Sequence, residues 1–227
     1  MTVAVHWGWE RRSWDAGRSR VAGVDEAGRG PIAGPVVAAA VILPPDCPLP
    51  GLDDSKRLKP GEREALYGEI VQTALGWAIA SETPAVIDQI NILQAALRAM
   101  AAAVGRLTPE PDCLLVDGIQ AVPLPARPPV DQFPLVRGDG ESVSIAAASV
   151  LAKVYRDRKM AEYDRLYPGY GFARHKGYGT RAHLEALQRL GPSPIHRKTF
   201  RPVREILGAL GPAGRRPGSG PGPPLPG

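Results

Sequence analysis

The chain carries two cysteines in 227 residues, Cys47 in a proline-rich loop and Cys113 at the start of an apolar run. Two thiols so placed make neither a disulfide framework nor a set of zinc ligands, so both are expected to be ordinary reduced thiols. No apolar run approaches the roughly 20 residues that a membrane-spanning helix needs. The first residues, MTVAVHWGWERRSWD, lack the basic start and apolar block of a secretory signal. The expectation is a soluble, cytoplasmic protein. There is no internal repeat and no obvious apolar seam for self-association, so a monomer is expected.

What is present is enough for one substantial core, at 44% hydrophobic. Charge is unevenly divided. Residues 1 to 150 hold 13 Lys/Arg against 18 Asp/Glu, a net of −5, whereas residues 151 to 206 hold 13 against 5, a net of +8. An acidic part suited to cations therefore precedes a basic part suited to a polyanion, or else to a solvated basic surface.

Short apolar runs predict strands at Val21–Val24, Val36–Leu43, Trp77–Ala80, Cys113–Val116 and Phe133–Val136, the second a continuous run of the kind buried on both faces. Helices are predicted near 61–73, from Thr83 as N-cap through Val104 to Gly105, from Ser142 onward, and near 181–190 and 202–210. Strands alternating with helices mean a mixed or parallel α/β sheet, which binds ligands outside the carboxyl ends of its strands. The helix after Ser142 reads as amphipathic, with Lys153, Arg156 and Arg158 on a basic flank. Residues 1–19, with three tryptophans and no clear period, are read as a variable extension. Residues 20–210 are expected to form one domain, an α/β core to about 141 and a helical segment from 142. The Gly/Pro-rich residues 211–227 are expected to be disordered and are the candidate for a contact with a partner protein.

Four acids, Asp25, Glu26, Asp117 and Asp139, fall at predicted strand ends or just after them. Singly each has a plainer reading: a solvated hairpin turn for Asp25-Glu26, a strand-to-turn pair for Asp117-Gly118, a helix cap for Asp139. Together they would repel one another unless divalent cations neutralised them. Oxygen ligands without neighbouring histidine or cysteine suit Mg²⁺ or Mn²⁺, and two such ions clamp a phosphodiester in an in-line displacement.

The pieces GVDEAGRGPIAGPVVAAAVIL, DDSKRLKPGERE, VDG, RGDGESVSIAAASVLAKVYRDR and YPGYGFARHKGYGT, in this order, resemble bacterial ribonuclease HII over about residues 21 to 207. The resemblance implies a ribonuclease-H-like mixed five-stranded sheet flanked by helices, with a helical C-terminal segment. It implies metal binding by Asp25, Glu26, Asp117 and Asp139, and a two-metal mechanism with Mg²⁺ or Mn²⁺. The implied activity is endonucleolytic cleavage of the RNA strand of RNA–DNA hybrids and incision 5′ of ribonucleotides in duplex DNA, leaving 3′-hydroxyl and 5′-phosphate ends.

Discrimination of RNA from DNA requires reading the 2′-hydroxyl, and the side-chain-poor turn Gly28-Arg29-Gly30 admits close backbone approach to a sugar. By the same resemblance Tyr178 would stack on the sugar at the RNA–DNA junction, with Tyr170 a second candidate. Lys56, Arg57, Lys153, His175 and Lys176 would contact phosphates. Ile119-Gln120 departs from the family pattern, where a more polar or basic pair is expected. Two other readings stand beside this one: a four-acid exonuclease, disfavoured by the ribose-reading turn, and a nucleic-acid-binding protein without catalysis.

Overall fold

The computed structural model describes residues 5–53, 55, 58–124 and 130–210. Its five-stranded sheet comprises β1 (Val21–Ala27), β2 (Val36–Ile42), β3 (Gly76–Glu82), β4 (Cys113–Asp117) and β5 (Asp131–Leu135), in the order β3-β2-β1-β4-β5. The β1–β2 and β2–β3 pairs are antiparallel, β1–β4 and β4–β5 parallel. The sheet is therefore mixed, with β1 at its centre. Strand β5 begins two residues before the sequence expectation, and Val136 lies beyond it, exposed.

All seven residues of β2 are buried, because both faces of the sheet are covered. On one face Ala22, Val24, Ala38, Ala40, Leu114 and Val116 pack against Ala99, Met100 and Ala103 of α4 (Ile92–Gly105). On the other, Val37, Ala39 and Val41 meet Leu66 and Ile70 of α2 (Pro60–Thr73) and Ala147 and Leu151 of α5 (Val143–Leu166). Burial of each such Leu, Ile or Val side chain stabilises by roughly 1.5–3 kcal/mol. Helix α5 lies directly on β1 at Gly23, where an added Cβ would stand 2.0 Å from the Ser144 carbonyl carbon. Only glycine permits that approach.

Three elements differ from the sequence reading. The helix expected from 83 to 105 is two helices, α3 (Pro84–Ile90) and α4, because Asn91 takes a left-handed φ of 68° and caps the second by accepting from the Gln94 amide at 3.1 Å. The expected N-cap Thr83 accepts from the Val86 amide. Helix α5 is buried on every side through its first ten residues, so its amphipathic stretch begins only at Lys153. Residues Gly8–Asp15 form helix α1, whose buried members are the polar pair Glu10 and Ser13. An element that buries polar groups shows no hydrophobic period.

Glu10 is completely buried, and its Oε1 accepts from the Ser142 hydroxyl at 2.6 Å and the Ser144 amide at 2.8 Å, at the start of α5. A carboxylate there satisfies helix donors and complements the dipole. The basic segment supplies α6 (Phe172–His175), α7 (Arg181–Leu190) and α8 (Arg201–Leu210). Among the described residues no helix is long and apolar enough to cross a membrane.

Candidate active site

The parallel register of β1 and β4 runs from Val21↔Cys113 to Val24↔Val116. One residue further on, Asp25 and Asp117 are therefore strand-end neighbours. The two-residue period of a strand puts both on the face covered by α5, with Val21, Leu115 and Ile145, and sends Glu26 to the other. A cleft of about 230 Å³ opens at this point, lined by Asp25, Glu26, Gly28, Arg29, Gly30, Ser55, Asp117, Ser149, Lys153, Arg156 and Tyr178. A larger concavity of about 430 Å³, bordered by Asp164, Tyr170 and Glu185, contains none of the predicted acids.

Asp25 is 3% exposed, and burial pushes its carboxyl well above the usual range, with the charges of Glu26, Asp117 and Asp139 adding to the effect. A hydrogen bond from Ser149 acts against it. Asp25 Oδ1 accepts from the Glu26 amide at 2.6 Å, and Asp117 Oδ1 accepts from the Gly138 amide at 2.7 Å. That second bond ties β4 to the 3₁₀ turn Gly138–Gly140, which carries the buried Asp139. Asp139 is not the cap of α5. Ser142 is, accepting from the Ile145 amide.

Among the described residues no three His, Cys, Asp or Glu side chains are gathered closely enough to form a ready-made metal cage. The donor chemistry nonetheless fits a hard divalent cation. The cleft offers carboxylates and the Ser55–Ser149 hydroxyl pair, 2.8 Å apart, with neither imidazole nor thiolate. Ser149 escapes a sequence reading because it sits in the apolar run SIAAASV of a buried helix.

Gly28, Arg29 and Gly30 form the wall opposite. Arg29 Nη1 lies 3.3 Å from Glu26 Oε1, its side chain 51% exposed. A Cβ at Gly30 would stand 3.5 Å from Tyr178 Cε1, so the Tyr178 ring, 48% exposed, faces the turn across the cleft. Gly28 has a further reason to be glycine. At φ +100°, an added Cβ would meet Arg156 Nε at 2.1 Å. Lys153 reaches the cleft while donating to Asp157 at 2.7 Å, and burial lowers its pKa.

The remaining basic candidates lie elsewhere. Lys176 lines a neighbouring groove of about 420 Å³ with Arg63, Lys153, Arg158 and Arg174, interleaved with Glu64 and Asp157. His175 is turned inward. Its Nδ1 accepts from the Gly177 amide at 3.2 Å and its Nε2 faces the Tyr170 carbonyl at 2.8 Å, which leaves no ring nitrogen for a phosphate. Tyr170 likewise stacks on Phe172 and donates to the Gly191 carbonyl, so it is a packing residue. Arg156, read as part of a basic flank, is 1% exposed and donates to the carbonyls of Pro35, Lys176 and Ala33. Lys56 and Arg57 lie outside the described residues. Ile119 stands 79% exposed beside a second cleft that shares Glu26, Arg29 and Asp117 with the first.

Residues 193–200 brace the site. The Gly34 amide donates to Ile195, the Arg197 amide to Ile32, and the Ile32 amide to Gly177, stitching the 28–35 loop to both basic-segment loops. His196 and His183 are fully buried and meet Nε2 to Nε2 at 3.0 Å. The Ser193 amide donates to His196 Nδ1, and His183 Nδ1 faces the Tyr178 carbonyl at 2.8 Å. These partners fix both tautomers: His196 Nε2–H donates to His183 Nε2, and His183 Nδ1–H donates to Tyr178. Burial lowers their pKa values to about 3 for His196 and about 4 for His183. It also lowers the buried guanidiniums, Arg156 to about 10 and Arg197 to about 9, which leaves both charged at neutral pH.

A mixed five-stranded sheet flanked by helices, with acids at adjoining central strand ends and a basic helical segment beside them, is a ribonuclease-H-like fold. The comparisons agree. A solved structure of ribonuclease H2 from Pyrococcus horikoshii OT3 superposes with a TM-score of 0.71 at 27% identity, covering 85% of this chain and 99% of that one. The PCNA:RNase HII complex from Archaeoglobus fulgidus gives 0.66 at 25% identity, over 81% and 96%.

The chain belongs to the ribonuclease HII family: the family model described as Ribonuclease HII matches residues 22–203. Ribonuclease HII of Geobacter sulfurreducens is 60% identical over 202 residues, 89% of this chain and 91% of that protein. That of Geobacillus kaustophilus is 58% identical over 201 residues, 88% and 75%. The chain is thus a ribonuclease H, an endonuclease acting on the RNA strand of RNA–DNA hybrids.

Proposed function

We propose that the enzyme also incises on the 5′ side of single ribonucleotides in duplex DNA, leaving 3′-hydroxyl and 5′-phosphate ends, with Asp25, Glu26, Asp117 and Asp139 holding Mg²⁺ or Mn²⁺. The observation that carries this is one cleft in which the strand-end acids face the Gly28–Gly30 turn and the Tyr178 ring. Bound ions would supply an activated water and neutralise charge at the scissile phosphate. The buried Asp25 and Asp139 and the half-buried Glu26 and Asp117 bring negative charges together, which favours such cations, and a neighbour, Bst-RNase HIII, was solved in complex with Mn²⁺.

The chain's own groups do the selecting. The backbone of residues 28–30 approaches the ribose, whose 2′-hydroxyl is the group that distinguishes it from deoxyribose. Tyr178 offers a flat face for the sugar at the junction. Lys153 carries the backbone from the cleft into the groove of Arg63, Arg158, Arg174 and Lys176, where phosphates are contacted without regard to sequence. Titrating Mg²⁺ against a labelled duplex with one ribonucleotide tests the reading. Incision at the ribonucleotide is expected; degradation from an end, or a mobility shift with the strand intact, refutes it. For partners, a sliding clamp is the binding protein we assign to residues 211–227, which lie outside the described residues; a clamp pull-down with and without them is the check.

A further inference from the structure

Arg197 is a charged side chain with no exposed surface, and its five N–H groups meet five backbone carbonyls. Nε donates to Gly34 at 3.0 Å, Nη1 to Arg29 at 3.0 Å and Pro31 at 2.7 Å, Nη2 to Gly28 at 2.6 Å and Pro35 at 3.2 Å. A buried guanidinium is costly unless every donor is used. Here all of them are spent on the loop that carries the ribose-reading turn.

A trans peptide is planar, with its carbonyl and the following amide pointing in opposite directions. Drawing the Gly28 and Arg29 carbonyls onto Arg197 therefore turns the Arg29 and Gly30 amides away from it, toward the cleft these residues line. We propose that Arg197 is a positioning residue for sugar discrimination, holding the Arg29 and Gly30 amides in the orientation that meets a 2′-hydroxyl. This rests on the ribose-reading function given above. Arg197 touches no reacting atom and acts only through the turn. Its own segment is anchored by Asp88, whose carboxylate accepts from the Lys198 amide, the Thr199 amide and the Thr199 hydroxyl at 2.7 to 2.9 Å.

The test measures affinity of the full chain, with Ca²⁺ replacing Mg²⁺, for two duplexes of one sequence, one all-deoxy and one with a single ribonucleotide. In Arg197→Met the all-deoxy affinity should stay within about twofold, because phosphate contacts are elsewhere, while the preference for the ribonucleotide falls about tenfold, the worth of one well-made hydrogen bond. Arg197→Lys, with three donors, should recover part of it. Asp88→Ala, which leaves the guanidinium in place but loosens its anchor, should lose about threefold by the same mechanism. A folded Arg197→Met that keeps its preference overturns the proposal. If that variant does not fold, an unchanged preference in Asp88→Ala overturns it. A wild-type enzyme without any ribonucleotide preference refutes the parent function and the proposal together, an outcome distinct from failure in the variants alone.

Discussion

Acid should destabilise this protein through its buried imidazole pair. His183 and His196 are held neutral, with pKa values of about 4 and about 3 against an ordinary 6.5. Because these are depressed, the stability they contribute is complete above pH 6.5 and is lost as pH falls from there toward 4 and 3, since the unfolded chain takes up protons that the folded one refuses. At pH 5.5 each histidine forfeits about 1.4 kcal/mol, so the pair forfeits about 3 kcal/mol relative to pH 7.5. For a domain of this size that lowers Tm by about 6–12 °C.

Asp25 works with the opposite sign. Its raised pKa means that its burial penalty is relieved as pH falls, so the comparison is wild type against His196→Gln, in which one titrating group is gone. Scanning calorimetry from pH 7.5 to 5.5 should show the variant, whatever its absolute Tm, losing about 1.4 kcal/mol less than wild type over that interval. Equal losses in the two proteins would refute the reasoning. So would an NMR titration placing either imidazole above pH 6.

Asp117→Asn should abolish turnover while duplex affinity stays within about threefold, as for a residue needed only in the transition state; joint loss in gel-shift and cleavage assays would make it a fold residue. Asp25→Asn removes a carboxylate about 5 Å from its strand neighbour, a repulsion of about 3 kcal/mol at an effective dielectric of 20. The metal-free protein should therefore gain about 1–3 kcal/mol in urea titrations at pH 7.5 even as activity disappears. Gly28→Ala drives a Cβ to within 2.1 Å of Arg156 Nε and should cost about 2–4 kcal/mol, read as a lower urea midpoint. Glu10→Ala frees the Ser142 hydroxyl and Ser144 amide and should cost about 2 kcal/mol.

The acids were legible because charge at the end of an apolar strand is out of place unless it serves something, and Asp25 and Asp117 do lie on adjoining strand ends. The central strands were legible for a related reason, β1, β2 and β4 being apolar enough to be buried on both faces. Local backbone chemistry hid the break at Asn91, since an apolar spacing that continues across a left-handed residue looks unbroken. The basic residues were the least legible. Arg156, Arg197 and His175 have the composition of a solvated surface, yet each is turned inward onto carbonyls or amides that only the tertiary fold supplies. Composition records charge and says nothing of which way a side chain faces.

The clamp on the 28–35 loop joins Arg197 to Gly28 across 169 positions. A contact closing so large a span comes late in folding, after the local helices and hairpins have formed. Synthesis delivers Asp25, Glu26, Asp117 and Asp139 before Arg197, so a nascent chain can hold all four acids well before it holds the side chain that fixes the carbonyls of the loop beside them.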